Sequence, residues 1–441
     1  MSGTTFHPKR RNATNDSIVT CGEILPDGSI VEPVSGCDGS ISPQLLLWNG
    51  SAAKIASSHE RGGRKYQASD LDLSLYRALR LPHGCRKYRS DRDLFDKVRR
   101  LFSNHLRLQD WQSSVMACFV FISWVCERLS SAPVLALLGE DEEMGLASLF
   151  LLNSLCRHPI LLAEISAAAL YSLPLEFSPT LLIRQEELRP NLQRLLRSSG
   201  FRGLHVPRPG GRLADLSCPK AIFFGNGGPA DAFCENTIPI ALITSGRQPS
   251  YLDERLQEEI ANEFQPRLLM YRLRNLAKIA TREIDVSKFT PAVRPLARSF
   301  AQCFPGDAAL AEFAARLLEP RDDEIRAEHT RDVRFAIVEI LLATIHEGNE
   351  RAVRVQALTA QVNTLLRSRG EILEFKPEEI GWRLKKLYIT RHSNTSGQQV
   401  LLDRGTSQRV HELAGAYDLP GEQLSVTGCP DCSQSQATAS A

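Results

Sequence analysis

The sequence predicts an α/β protein: a mainly parallel sheet covered on both faces, then a helical region, then a small module of three helices and a β-ribbon. Short apolar runs, Val134–Leu138, Ile160–Ala163, Thr180–Ile183, Ala221–Phe224 and Ile238–Ile243, alternate with segments of helical period. That alternation is expected of strands buried on both faces by crossover helices. A charged connector, Glu319–Arg331, then separates this region from a second hydrophobic pattern that begins at Val333.

In chain order, residues 1–90 mix Gly, Ser, Pro, Asp and Arg with short apolar pieces such as Gln44-Leu45-Leu46-Leu47-Trp48. These are too few for a core, so a largely disordered leader is expected. Its basic end, through Arg61, Arg64, Lys65, Arg86, Lys87 and Arg89, reads as a solvated linker. Residues 91–250 form the α/β domain with a helical preface. From Asp91, Leu94, Val98, Leu101 and Phe102 share one helix face, and Trp111, Val115, Phe119, Ile122 and Cys126 repeat at helical spacing in a buried helix over 111–129. The apolar run from Val115 to Cys126 is about half the ~20 residues that span a bilayer, so no membrane partner is expected. A Pro-Gly-Gly turn within 203–212 predicts a hairpin. Residues 251–320 are helical and lid-like in position, punctuated by Pro266, Pro291 and Pro305.

Residues 330–418 carry the second module. Its helices bury Val333, Ile337, Leu341 and Ile345; Leu358, Val362, Leu365 and Leu366; and, after Pro377, Ile380, Leu384, Leu387 and Tyr388. Strands are expected at Tyr388–His392 and Gln399–Leu402, with a closing helix from Ser407 to Tyr417. Three helices and a β-ribbon are the plan of a winged helix. Residues 421–441 read as a disordered, low-complexity tail.

At 441 residues, 43% hydrophobic and 24% charged, the chain has room for two or three cores. A net charge of +2 gives no global pull towards nucleic acid or anionic lipid, so any such surface must be local. Lys9-Arg10-Arg11 lacks the apolar core of a secretory signal, and eleven scattered cysteines fit reduced thiols in a cytoplasmic protein. The pair in Cys429-Pro430-Asp431-Cys432 supplies two of the four ligands of a structural zinc site. His158, His205 and His411 stand at no spacing that pairs them with cysteines or carboxylates. No metal and no cofactor are therefore expected, and no G-x-S-x-G, H-E-x-x-H or Cys–His arrangement suggests hydrolytic chemistry.

The run Pro133-Val134-Leu135-Ala136-Leu137-Leu138-Gly139, followed by Glu140-Asp141-Glu142-Glu143-Met144-Gly145-Leu146, has the place of a phosphate-binding loop. A working loop reads G-x-x-x-x-G-K-S/T, with amides and a lysine on the phosphates and a hydroxyl on Mg²⁺. Counted from Gly139, the second glycine is Met144, the lysine Gly145 and the hydroxyl Leu146. Four carboxylates crowd the turn instead; equally, they suit the first turn of a helix with its positive dipole end. At ~5 Å and an effective dielectric of ~20, opposite unit charges attract by about 3 kcal/mol and like charges repel as strongly. Losing the lysine and gaining acids therefore disfavours a triphosphate.

Over roughly residues 91–280 the order of features resembles the P-loop ATPase and helicase-like domain of phage- and plasmid-type primase-helicases. The features are the helical preface, the Gly139 turn, Pro159-Ile160-Leu161-Leu162, Pro179-Thr180-Leu181-Leu182-Ile183, Pro219-Lys220-Ala221-Ile222-Phe223-Phe224-Gly225-Asn226 and Thr237-Ile238-Pro239-Ile240. The resemblance implies a P-loop NTPase-like core of RecA/AAA+ type and a nucleotide site. Its Walker B acids are replaced by Arg184 and Gln185, its arginine-finger segment reads Glu235-Asn236, and only Asn226 stands where a sensor would be. The degenerate site is thus Gly139, Met144, Gly145, Leu146, Arg184, Gln185 and Asn226, with no catalytic residue.

In the second module, Trp382, Arg383, Lys385 and Lys386 lie off the buried face of the third helix, with Arg391 and His392 just beyond. Cations beside a planar side chain can meet phosphates, and helix-turn-helix readers place such a helix in the major groove. A solvated basic face, or a protein-docking module, is the alternative. The expectation is a non-hydrolysing P-loop-fold protein of mobile-element or replication ancestry, a DNA-associated scaffold or regulator. Its partners would be duplex DNA, a second copy of the chain, or an active P-loop relative that lends competence in a mixed ring. An ATPase or helicase subunit with an atypical nucleotide site or working in a mixed ring, or a pure interaction module, is the competing expectation.

Overall fold

A computed structural model of the chain describes residues 17–36, 42–69, 71–198, 200, 202–208, 212–225, 237–242, 249–281, 284–395, 397–417, 419, 429 and 431–432. They divide into two compact units. The first holds residues up to Val286 together with Arg294–Leu318, and the second holds Ser287–Val293 with everything from Glu319 onward.

The first unit opens with seven short strands: β1 (Ser17–Thr20), β2 (Glu23–Ile24), β3 (Ile30–Val34), β4 (Gln44–Trp48), β5 (Ala53–Ala56), β6 (Ser58–Arg61) and β7 (Arg64–Ala68). They make two small sheets, in the orders β2-β3-β4-β5 and β1-β7-β6, around Leu25, Val31, Leu45, Leu47 and Tyr66. The expectation of a largely disordered leader fails over the described part of 1–90. Strands of two to five residues are too short to display a period, and a decisive buried contact is polar. Glu32 of β3, nearly inaccessible, accepts from Arg157 Nε at 2.5 Å and from Arg272 Nε at 3.0 Å, and those partners lie far along the chain.

After α1 (Leu73–Ala78), α2 (Asp91–Leu106) starts where the Ser90 side chain accepts from the Asp93 amide. It buries Leu94, Phe95, Val98, Phe102 and Leu106, and stops at Arg107, which is left-handed at φ 55°. α3 (Asp110–Ser123) is buried almost all round and ends earlier than the expected 129, the chain tightening into a 3₁₀ turn at Cys126–Arg128.

The core of the unit is a five-stranded, wholly parallel sheet. In chain order come β8 (Val134–Leu138), α4 (Glu142–Leu155), β9 (Pro159–Leu162), α5 (Ala167–Leu170), β10 (Thr180–Arg184), α6 (Pro190–Ser198), the antiparallel hairpin β11 (His205–Arg208) and β12 (Arg212–Asp215), β13 (Lys220–Phe224) and β14 (Thr237–Ala241). The spatial order is β14-β8-β13-β10-β9. One face buries Val134, Ala136, Ile183, Ile222 and Phe224 with Leu192 and Leu196 of α6. Period two sends Phe223 to the other face, where it meets α4. Because all strands are parallel, β8, β13 and β10 end along one edge, where ligands sit in open α/β sheets. α7 (Glu254–Asn275), α8 (Arg294–Gln302) and α9 (Ala308–Arg316) complete the unit, and α7 packs on α4.

The second unit contains α10 (Glu319–Arg331), α11 (Val333–Glu347), β15 (Ala352–Arg354), α12 (Val355–Ser368), α13 (Pro377–Lys386), β16 (His392–Asn394), β17 (Gly397–Leu401) and α14 (Arg404–Ala416). Its antiparallel sheet has the order β15-β17-β16. The expected strands are displaced: Tyr388 adopts a left-handed φ of 59° and breaks extension, so pairing begins only at His392. A single core joins Ile337 and Leu341 of α11, Leu358 and Val362 of α12, Ile380 and Leu384 of α13, Val400 of β17 and Val410 of α14. No described helix is long and apolar enough to cross a membrane.

Candidate functional site: a closed sheet edge and a basic helix face

Only Gly139, Glu140 and Asp141 separate the end of β8 from the start of α4. The Asp141 carboxylate accepts from the Met144 amide at 3.0 Å and caps the helix. An amide that a phosphate loop would offer to its ligand is thereby satisfied by the chain's own anion. Met144 is buried. Gly145 is buried too, and a Cβ there would fall inside the Phe223 ring. A Cβ on Gly139 would stand 2.9 Å from the Leu242 carbonyl oxygen, so both glycines are explained by close packing. Leu146 is half-buried.

At the end of β10 the Arg184 guanidinium donates through Nε to Glu142 Oε1 at 2.9 Å and pairs through Nη1 with Glu186 at 2.9 Å. Hydrogen bonds donated to Glu142 and then to Glu186 raise its pKa, so it stays charged. Gln185 turns inward: Oε1 accepts from the Ile165 amide at 3.1 Å and Nε2 donates to the Glu187 carbonyl at 2.9 Å. Gly225, just after β13, sits beside Glu142, whose Oε2 would lie 3.2 Å from an added Cβ. The predicted residues Gly139, Met144, Gly145, Arg184 and Gln185 thus do gather along one sheet edge, around a Glu142–Arg184 ion pair. Asn226, the glycines after it and Glu235-Asn236 lie outside the described residues.

In the second unit, Pro377 opens α13 and the Lys376 amide donates to Glu379 Oε2 at 2.8 Å. Glu379 therefore serves as a helix cap. Trp382 is 56% exposed, with Lys386 Nζ 5.1 Å from its ring centroid, and Arg383 stacks on Phe375 at 4.5 Å. Such contacts contribute about 0.5–1 kcal/mol at exposed sites. Arg391 donates to Gln398 Oε1 at 2.7 Å and lies against Gly381, a close approach that a side chain there would block. Lys385 and Lys386 are exposed. Among the described residues, none of Arg383, Lys385, Lys386 and Arg391 is ion-paired with a carboxylate.

Sequence reasoning set three histidines apart, and for two of them this needs amending. His158 is buried beside Glu32, its Nε2 3.6 Å from Oε1, while Nδ1 donates to the Phe177 carbonyl at 2.8 Å. His411 meets Cys429, Cys432 and His346. The signal was faint: a C-x-x-C beginning eighteen residues after His411, with His346 far upstream.

No protein-family model matches the chain, and no curated protein does. Among the solved structures similar to it are two described as the A form apo structure of the NrS-1 C-terminal region. One is 10% identical and covers 85% of this chain and 97% of that one; the other is 11% identical and covers 85% and 96%. The TM-score is 0.34 for both. A score that low leaves the functional reading to the geometry.

Proposed function

We propose that this chain is a catalytically silent domain of P-loop type joined to a winged-helix module, and that it acts as a DNA-associated scaffold or regulator. The observation that carries the DNA reading is the α13 face: an exposed Trp382 between Arg383 and Lys386, with Lys385 and Arg391 beside them and, among the described residues, no carboxylate ion-paired with any of the four. Cations held free of acids are available to displace counterions from phosphates. The helix, strand, helix, helix, strand, strand order and the β15-β17-β16 sheet support the winged-helix reading, in which α13 is the helix that would enter a groove.

Silence at the first unit's sheet edge is supported by three features together. The β8–α4 connection is short, Phe223 fills the space at Gly145, and Glu142–Arg184 neutralises the edge internally. The replication or mobile-element ancestry rests on the resemblance over 91–280 alone. An electrophoretic shift series with the full chain and duplex DNA tests the proposal. A shift at low salt that Arg383→Glu/Lys386→Glu removes is the expected result; no shift, or an unchanged one in that variant, assigns the face to protein docking instead.

A further inference from the structure

We propose that His346, His411, Cys429 and Cys432 bind one zinc ion, which fastens the cysteine pair after α14 to the end of α11 and the middle of α14. The four ligand atoms all lie within 4.8 Å of one another. His346 Nε2 and His411 Nε2 are 3.1 Å apart, Cys432 Sγ is 3.2 Å from the first and 3.4 Å from the second, and Cys429 Sγ is 3.4 Å from His411 Nε2. A tetrahedral zinc with Zn–N of about 2.0–2.1 Å and Zn–S of about 2.3 Å has ligand–ligand edges of roughly 3.3–3.8 Å. These four of the six edges come within a few tenths of an ångström of that range before any ion draws the ligands into place, and the other two are no longer than 4.8 Å.

The surroundings are those of a metal site. His411 Nδ1 donates to the Ser407 carbonyl at 2.8 Å, which fixes the tautomer and leaves the Nε2 lone pair directed at the cluster. Ser407 Oγ donates to Asp431 Oδ2 at 2.6 Å, holding the residue between the two cysteines against the first turn of α14. That carboxylate is engaged there, so the ligand set is two imidazoles and two thiols. Such a soft, closed set suits zinc and excludes Mg²⁺ and Ca²⁺. His411 and Cys432 are buried, His346 and Cys429 half-buried. Binding would release the two thiol protons, leave the cluster neutral, and need no oxidant.

The sequence supplies a reason for an ion here. Beyond Leu419 the only large aliphatic residues are Leu424 and Val426, among Gly, Ser, Thr and Gln. Hydrophobic burial cannot anchor such a segment, whereas four coordinate bonds can.

The full chain, purified from zinc-replete cells without chelator, should carry one zinc per chain by elemental analysis. Cys429→Ser and Cys432→Ser should lose it, as should His346→Ala at the half-exposed position, while Cys85→Ser keeps it. Should the cysteine variants fail to fold, cobalt(II) added to metal-stripped wild-type chain gives a second reading. Tetrahedral d–d bands with thiolate charge transfer support the site. Zinc-free wild-type protein whose cobalt form lacks thiolate bands overturns it, and so does a Cys429–Cys432 disulfide found by mass spectrometry in chain purified under reducing conditions.

Discussion

Arg184 Nε donates to Glu142 Oε1 across 2.9 Å, joining the end of β10 to the first turn of α4 along the edge where a parallel sheet presents its ligands. Both side chains are partly exposed, 28% and 45%, so the pair contributes only about 0–1 kcal/mol to stability. Its importance in the proposed reading is electrostatic: if this edge descends from a phosphate loop, the cation takes the place of Mg²⁺ and the anion that of phosphate oxygens. The purified chain is therefore expected to show no saturable, Mg²⁺-dependent binding of a fluorescent ATP analogue at millimolar nucleotide. Competition by unlabelled ATP would overturn this reading of the sheet edge.

Rebuilding the loop by Met144→Gly, Gly145→Lys and Leu146→Thr should not create an ATPase. At Gly145 any side chain enters the Phe223 ring, and overpacking of a filled core costs about 1–3 kcal/mol. The triple variant should unfold at lower urea than wild type and hydrolyse nothing above background. Turnover in that variant would place the phosphate loop and metal strand elsewhere. Adding Phe223→Ala should recover part of the lost stability, since it vacates the space that the lysine stem needs.

Glu32 ties β3 to Arg157 and Arg272, and all three side chains are essentially inaccessible. Removing the carboxylate leaves Arg272 with Glu127 alone and takes from the buried Arg157 the carboxylate it is paired with, a change worth about 3–5 kcal/mol. Glu32→Ala should lower the urea midpoint of the first unit by a corresponding amount, with Glu32→Gln intermediate. A chain lacking residues 1–69 should be destabilised similarly, whereas a true leader could be removed without effect. Gly22→Ala should also destabilise, because Gly22 has φ 106° and a Cβ there would lie 2.6 Å from Glu32 Oε2.

His158 shares this buried site. Burial, and then the neighbouring Arg157, hold its pKa well below the usual 6.5. The unfolded chain takes up a proton there near pH 6.5 while the folded chain does not, so stability falls as pH is lowered through that value. The slope is up to about 1.4 kcal/mol per pH unit. Urea midpoints measured between about pH 6.5 and 5, above the ordinary carboxylate range, should show the loss. His158→Asn tolerates the local φ of 44° and should flatten it; an equal slope in wild type and variant would assign the titration to another group.

How much of this was legible depended on the kind of contact involved. The strand at Val134–Leu138 and the helix with Ile380 and Leu384 inward were readable because a hydrophobic period is local. The amino-terminal sheets were not readable, because short strands carry no period and Glu32 finds its partners more than a hundred residues away. The His346–His411–Cys429–Cys432 cluster was hidden for the same reason: two helices and a polar tail bring together ligands whose spacing matches no compact motif. Even the reason for Gly145 of α4 lay in Phe223 of β13, well over fifty residues along the chain.

The remaining prediction concerns salt. If Arg383, Lys385, Lys386 and Arg391 each neutralise one phosphate, each contributes about −0.9 to the slope of log K against log salt, and together about −3.6. Duplex affinity of the full chain should then fall roughly a hundredfold between ~50 and ~200 mM salt. Lys385→Glu/Lys386→Glu changes two exposed residues and leaves Ile380, Leu384 and Leu387 buried, so the fold should persist by circular dichroism. The slope should shrink by about 1.8 in magnitude, equally for scrambled and genomic duplexes, because phosphate contacts carry no sequence information. Trp382→Ala should weaken binding with the slope unchanged, since an aromatic ring releases no counterion. A slope that stays near its wild-type value in the double lysine variant would show that the phosphates meet a different face of the protein.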